Sequence, residues 1–193
     1  MTWIDVPDPF DERGGAMPVK LVVCGGYGSG KTTFVGAISE IVPITTEAPM
    51  TEVSLEVDTG AVATKVATTV ALDFGRISLD SGLVLYLFGT PGQNRFKFAW
   101  DNVSRGAIGA VIMVDSRRLD DAFPSVDFCE GRGIPFVIAV NRFEGQLFHD
   151  LEDIRAALVL DHSVPVLGID ARSRADAKGT LISLVVHALR GAS

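Results

Sequence analysis

Cysteine is scarce in this chain, basic side chains are outnumbered by acidic ones, and no long apolar run interrupts its 193 residues. Each shortage excludes something. With 17 Lys and Arg against 24 Asp and Glu, the formal net charge is -7, so there is no electropositive footprint for nucleic acid or an anionic membrane. Any bound anion has to be held locally by a few placed groups. The two cysteines, Cys24 and Cys129, fall in a predicted buried strand and a predicted helix. A structural disulfide is therefore not expected, and a reducing compartment fits. Without about 20 consecutive apolar residues no spanning helix is predicted, and the segment Met1 to Pro18 has no apolar stretch of the kind a secretion signal needs. Thr2 and the final Arg190-Gly191-Ala192-Ser193 carry no lipidation pattern. The expected location is the cytoplasm, with no membrane anchor of the chain's own. There is no internal repeat and no low-complexity tract.

Glycine, in contrast, is concentrated where it matters. Gly25-Gly26-Tyr27-Gly28-Ser29-Gly30-Lys31-Thr32 matches the phosphate-binding pattern G-x-x-x-x-G-K-[ST] in full. At this spacing the backbone wraps a phosphate chain with its N–H groups pointing inward, the lysine reaches the outer phosphates, and the hydroxyl is offered to Mg²⁺. The context agrees. Val19 to Cys24 reads as a buried strand, and Lys31 to Ile41, with Phe34, Ala37, Ile38 and Ile41 on one face, reads as the helix whose N-terminus would meet the anion.

The rest of the chain is organised around that loop. Residues 1–17 read as an N-terminal arm, with Pro7, Pro9 and Gly14-Gly15 opposing regular structure, although Trp3 and Phe10 could dock on the domain. Residues 18–193 form one domain. Val42 to Thr68, threonine-rich with Pro43 and Pro49, shows no clear periodicity and is expected to be a long irregular connection. Val70–Leu79 and Leu83–Phe88, joined by Asp80-Ser81-Gly82, predict an antiparallel hairpin. Then come a helix from Asn94 to Arg105, a strand over Ala107–Val114, a helix from Asp121 to Arg132, a strand over Pro135–Val140, a helix from Asp150 to Leu160, a strand over Val164–Ile169 and a closing helix from Ala175 to Arg190. Strands alternating with helices predict a three-layer α/β fold with ligands at the carboxyl ends of the strands.

Four stretches fall at such ends: the glycine-rich loop, Gly89-Thr90-Pro91-Gly92-Gln93, Asn141-Arg142-Phe143-Glu144 and Asp170-Ala171-Arg172. In this order they resemble the motif set of the Ras-like small GTPases over nearly all of residues 18–190. Within that superfamily the chain is most similar to the bacterial MglA-type and actinobacterial conservon branch, through Thr32-Thr33, the run Thr69 to Gly75 and Thr90-Pro91-Gly92-Gln93. The resemblance implies a P-loop NTPase fold whose six-stranded sheet is parallel apart from one antiparallel edge strand, with GTP or GDP and Mg²⁺ bound. It implies phosphate contacts from Tyr27, Gly28, Ser29, Gly30, Lys31, Thr32, Thr33 and the Gly92 N–H, and a water-orienting role for Gln93 beside Lys31. Thr69 would join Thr32 on the metal when the third phosphate is present, with Thr68, Thr59 and Thr46 as rivals. Asn141, Arg142, Glu144, Ala171 and Arg172 would surround the base. Roadblock/longin-type small proteins and membrane-associated sensor kinases are the partners it suggests.

The chain departs from the family pattern in four places, the first being Arg142 where the base-reading signature has a lysine. Glu144 stands where an aspartate usually reads guanine. Gly89 replaces the aspartate that commonly ends the third strand and holds a metal-bound water. Thr68 occupies a position that can carry a catalytic arginine, leaving Arg95 as the nearest internal candidate. The leading expectation is a slowly hydrolysing regulatory GTPase, with switch segments around residues 43–69 and 90–105. The alternatives are a nucleotide-bound scaffold and an ATP-dependent kinase. The aromatic group Phe96, Phe98 and Trp100 is expected either to anchor a partner or to pack beneath the switch helix.

Overall fold

The computed structural model describes residues 17–42, 44–52, 66–79, 82–92 and 98–191. Among the described residues, seven strands and five helices follow one another. β1 (Met17–Gly25) leads through the glycine-rich loop into α1 (Lys31–Ile38); β2 (Ile44–Glu52), β3 (Val66–Leu79) and β4 (Leu83–Gly89) come next; α2 (Phe98–Ser104) and β5 (Ala107–Val114) follow. A 3₁₀ turn at Leu119–Asp121 precedes α3 (Phe123–Gly131), and β6 (Phe136–Asn141), α4 (Leu151–Ala157), β7 (Val166–Ile169) and α5 (Arg174–Gly191) complete the described residues.

The sheet runs in the order β2-β3-β4-β1-β5-β6-β7. β4, β1, β5, β6 and β7 pair in parallel, and β3 runs antiparallel to β4. These six strands are the expected set, but β3 is not the edge. The segment expected to be irregular supplies β2, which pairs antiparallel with β3 from Ile44 opposite Phe74 to Glu52 opposite Val66. Threonine suits a pleated strand, and Pro49 is tolerated because β2 is the outermost strand, where one missing N–H need not break a central ladder. Proline and threonine concealed a strand that its edge position permits.

Alternation along β1 shows why its sequence is continuously apolar. Leu21 and Val23 enter a core with Phe34, Val35, Leu87, Met113, Leu181 and Leu184, beneath α1 and α5. Val22 and Cys24 enter a second core with Val103, Ile112, Val126, Cys129, Ile138 and Ile154, beneath α2, α3 and α4. A strand buried on both faces cannot alternate with polar residues. Cys24 and Cys129, both buried and free, therefore meet across the second core, and the contact with Cys24, together with burial, pushes the Cys129 thiol up. Pro124 stands in the first turn of α3, where its missing N–H costs nothing. Among the described residues, no helix is long and apolar enough to cross a membrane.

Candidate functional site

The carboxyl ends of β1, β4, β6 and β7 converge on the glycine-rich loop. Gly25, Gly28 and Gly30 adopt φ values of 132°, 75° and 104°, a region open to glycine at little steric cost, and α1 begins directly after Gly30. The loop is a ring of backbone closed around the side chain of Lys31, whose ammonium donates to the carbonyls of Gly25 at 3.0 Å and Gly26 at 2.7 Å. Burial pulls the Lys31 pKa down to about 8, while the Cys24 thiol, Asp73 and Asp121 act in the opposite direction. A positive group kept in poor solvation favours a ligand that brings negative charge.

Two loops press on the ring. A Cβ at Gly92 would stand 2.6 Å from Lys31 Nζ and 2.8 Å from the Tyr27 amide nitrogen, so the backbone after β4 lies over the mouth of the cradle. That backbone is fixed from both sides, by the Thr90 N–H donating to the Val23 carbonyl at 2.9 Å and by Trp100 Nε1 donating to the Pro91 carbonyl at 3.2 Å. Trp100 is buried and meets Phe128 edge to face with ring centroids 5.3 Å apart. Of the aromatic group, it packs beneath the helix; Phe96 and the side chain of Phe98 lie outside the described residues. On the other side, Arg118 Nη2 donates to the Tyr27 carbonyl at 2.8 Å.

Thr32, the hydroxyl that the loop pattern assigns to a metal, donates from Oγ1 to Asp73 Oδ2 at 2.5 Å. Asp73 stands directly opposite Gly89 in the β3–β4 ladder. A Cβ on Gly89 would approach the Asp73 Cβ to 3.0 Å and its carboxylate to 3.2 Å. The Asp73 carboxylate thus lies in nearly the space that a side chain at position 89 would take. Asp73 belongs to the run Thr69 to Gly75 that carries the resemblance, but no role at the site is assigned to it from sequence. A signal was present: the tight turn after Leu79 sets the hairpin register, and that register puts position 73 beside position 89. Hard oxygen donors of this kind fit Mg²⁺, which keeps most of its shell for water and phosphate. Among the described residues no group of three or more His, Cys, Asp or Glu side chains forms a self-sufficient metal cage.

At the far end of the cradle, Asn141 is buried and bridges two loops. Its Nδ2 donates to the Ser29 carbonyl at 3.2 Å, and its Oδ1 accepts from the Ala171 N–H at 3.1 Å. The buried Ser29 Oγ has no hydrogen-bond partner, leaving one polar atom of the ring uncommitted. Glu144 and Gly145 have φ values of 56° and 80°, and Gln146 N–H returns to the Phe143 carbonyl at 3.1 Å. Left-handed values at both central positions make this a tight mirror-image turn, and Glu144 is exposed on it. Arg117 packs 4.1 Å from the Phe143 ring centroid and grips Asp115 with Nε and Nη2 at 2.9 and 2.8 Å.

The sequence-predicted residues divide accordingly. Gly28, Ser29, Gly30, Lys31, Thr32, Gly92, Asn141 and Ala171 are gathered at one site, with Tyr27 and Thr33 exposed at its rim. Arg142 instead places its guanidinium against Gly168 of β7. Arg172 forks onto Asp170 at 2.9 and 2.8 Å, and that fork holds the Asp170 carboxyl at about 2. Thr69 lies within β3 opposite Pro49, four positions from Asp73 and so roughly 13 Å from it along an extended strand. Thr68 and Thr46 are likewise strand residues. Gln93, Arg95 and Thr59 lie outside the described residues.

Residues 23–191 match the model of a family described as "Conserved hypothetical ATP binding protein". An uncharacterized protein of Methanocaldococcus jannaschii is 27% identical over 126 residues, covering 64% of this chain and 70% of that one. Among solved structures, the G domain of the T. maritima FeoB iron transporter has a TM-score of 0.62 at 15% identity, covering 89% of this chain and 99% of its own. The FeoB G-domain from Methanococcus jannaschii has a TM-score of 0.57 at 16% identity, covering 89% and 98%. At these identities the likeness is one of fold: the mixed α/β G-domain of the P-loop NTPases.

Proposed function

The chain belongs to the family of conserved hypothetical ATP-binding proteins, and from its site we propose that it is a guanine-nucleotide switch that binds GTP or GDP with Mg²⁺ and hydrolyses GTP slowly. The observation that carries this reading is the meeting of Thr32 with Asp73 beside a closed glycine ring, with Gly92 against Lys31. A hydroxyl and a carboxylate lie next to a cradle for two or three phosphates, and a backbone segment stands where the last phosphate would be sensed.

Thr32 and Asp73 would hold the metal, directly or through its water, and the metal supplies positive charge to the phosphate oxygens. Lys31 would bind the outer phosphates and the loop N–H groups the inner ones. Gln93 would orient water for in-line attack on the terminal phosphorus. The new P–O bond forms to water, the bond to the bridging oxygen breaks, GDP leaves with the electron pair, and the water proton ends on phosphate or solvent. Guanine rather than adenine is the expected base, because a carboxylate such as Glu144 accepts from the paired donors that only guanine presents. Thr69 would reach the metal after rearrangement of the β2–β3 ladder, which makes that ladder a candidate switch. Roadblock/longin-type proteins and sensor kinases remain the partners we propose for it.

The test is to measure binding of GTP, GDP and ATP with Mg²⁺ together with phosphate release. Lys31→Ala should abolish binding, and Gln93→Ala should keep binding and lower turnover; unchanged turnover in the second variant would refute its role. Preference for ATP over GTP would overturn the guanine assignment and reopen the kinase reading. One observation favours the scaffold reading, binding without turnover: β3 stays paired with β2 through Thr69. Tight binding with no phosphate release would establish it.

A further inference from the structure

At the end of the sheet remote from the glycine-rich loop, an apolar groove of about 430 Å³ runs between the β3–β4 hairpin, the end of α1 and one face of α5. Its floor is core, including Ile77, Leu85 and Leu181, but its walls are not covered: Leu79, Ile182 and Val186 are 40%, 55% and 41% exposed. Its rim is basic. Arg174 and Lys178 stand on α5; among the described residues neither makes an ion pair within 4.0 Å, and the Arg174 charge reaches Glu40 across the groove. The one acidic residue on the rim, Glu40, accepts the Ser78 N–H at 2.9 Å, a bond that holds its carboxyl below the usual range.

The chain itself arrives at this groove. β1 starts at Met17, whose N–H donates to the Gly82 carbonyl at 2.8 Å and which pairs with Leu83, a residue of the groove wall. The 16 residues before it contain Trp3, Ile4, Val6 and Phe10 interleaved with Asp5, Asp8, Asp11 and Glu12, with a single basic residue, Arg13. Apolar side chains suit the groove and acidic ones suit its rim. From Met17 back to Phe10 an extended chain spans up to roughly 23 Å, and Gly14-Gly15 lets it turn toward α5.

We propose that this groove is the docking site of the chain's own N-terminal arm, with Trp3, Ile4, Val6 and Phe10 against Leu79, Ile182 and Val186 and the arm's carboxylates facing Arg174 and Lys178. The arm covers the apolar face of the hairpin whose opposite end carries Asp73. The assignment stands on the groove and the arm alone and does not depend on which nucleotide the loop binds.

The experiment isolates the Trp3 signal in the full-length protein as the difference between the parent and Trp3→Phe, since Trp100 is the only other tryptophan. Acrylamide should quench Trp3 roughly three-fold less readily in the parent than in Ile182→Asp, as expected when an indole leaves water. Arg174→Glu with Lys178→Glu should give the same loss of protection, greater at low salt than at high. Hydrogen exchange provides the second measurement: amides of Leu79–Leu85 should exchange faster in Trp3→Ser/Phe10→Ser than in the parent. Trp3 quenched as readily in the parent as in Ile182→Asp would overturn the proposal. So would protection that grows with protein concentration, which would assign the groove to the arm of a second copy, or exchange at Leu79–Leu85 unaffected by the arm variants.

Discussion

Thr32 and Asp73 are joined by a 2.5 Å hydrogen bond from the first turn of α1 to the middle of β3. The bond ties the start of the phosphate-loop helix to a strand that runs against the rest of the sheet. Metal dependence should therefore follow Asp73. Asp73→Asn should raise the Mg²⁺ concentration needed for tight nucleotide binding by about 10–100-fold, the usual effect of losing a group that orients a metal's ligands. Titration of nucleotide affinity against Mg²⁺ measures this.

Because Asp73 and Gly89 share one space, the carboxylate should be transferable. Gly89→Asp alone crowds Asp73, whose Cβ would be 3.0 Å from the new one, and should weaken the Mg²⁺ response and stability together. Asp73→Gly combined with Gly89→Asp should recover the response. If the double variant binds no better than Asp73→Asn under the same titration, the two positions are not equivalent.

Gly92→Ala should selectively impair triphosphate binding. The added methyl would sit 2.6 Å from Lys31 Nζ and 2.8 Å from the Tyr27 nitrogen, in space a terminal phosphate would need. Calorimetric titration should show a larger loss for GTP than for GDP, alongside a lower melting temperature, because the methyl also crowds the Gly26 and Tyr27 backbone. Equal losses for both nucleotides would mean that Gly92 does not face the last phosphate.

Removing the Asn141 side chain leaves the Ser29 carbonyl and the Ala171 N–H without the bonds they make at 3.2 and 3.1 Å. Each orphaned buried polar group costs about 1–3 kcal/mol, so with two of them Asn141→Ala should lower unfolding free energy by about 2–6 kcal/mol even without ligand. Denaturant unfolding of the ligand-free variant checks it.

The Asp115–Arg117 pair carries a pH signature. Arg117 beside Asp115 holds its carboxyl below the ordinary value of 3.8. A depressed carboxylate contributes stability that is complete above the unfolded value and fades as pH falls through the folded one. The stability gap between the parent and Asp115→Asn should then be constant near neutrality and close below about pH 4. Equilibrium unfolding from pH 7 to 3 would follow it, and a gap independent of pH would refute the assignment.

The alternating strands and helices, the glycine loop and the strand-end positions of Gly92, Asn141 and Ala171 were legible because each depends on local pattern: period, glycine spacing and turn residues. β2 was not legible. Its threonines and Pro49 read as a loop, and only an edge position beside β3 makes such a sequence a strand. Asp73 was concealed for another reason, because its role depends on its partner across the hairpin and not on its own neighbours in sequence. Arg142 and Arg172 were expected to turn toward a base, but a carboxylate two residues away captures Arg172, and the Arg142 guanidinium lies beside Gly168 of β7. Long cationic side chains carry little information about direction in a sequence.

Placing the carboxylate on β3 limits how that strand can shift relative to α1. Successive side chains of a strand face opposite ways, so a slip by one residue would carry Asp73 to the wrong side of the sheet and release Thr32 completely. A slip by two, roughly 7 Å, would restore the facing but put Ala71 or Gly75 where Asp73 stands. The contact therefore has no intermediate setting: it is engaged in one register and absent in all the others.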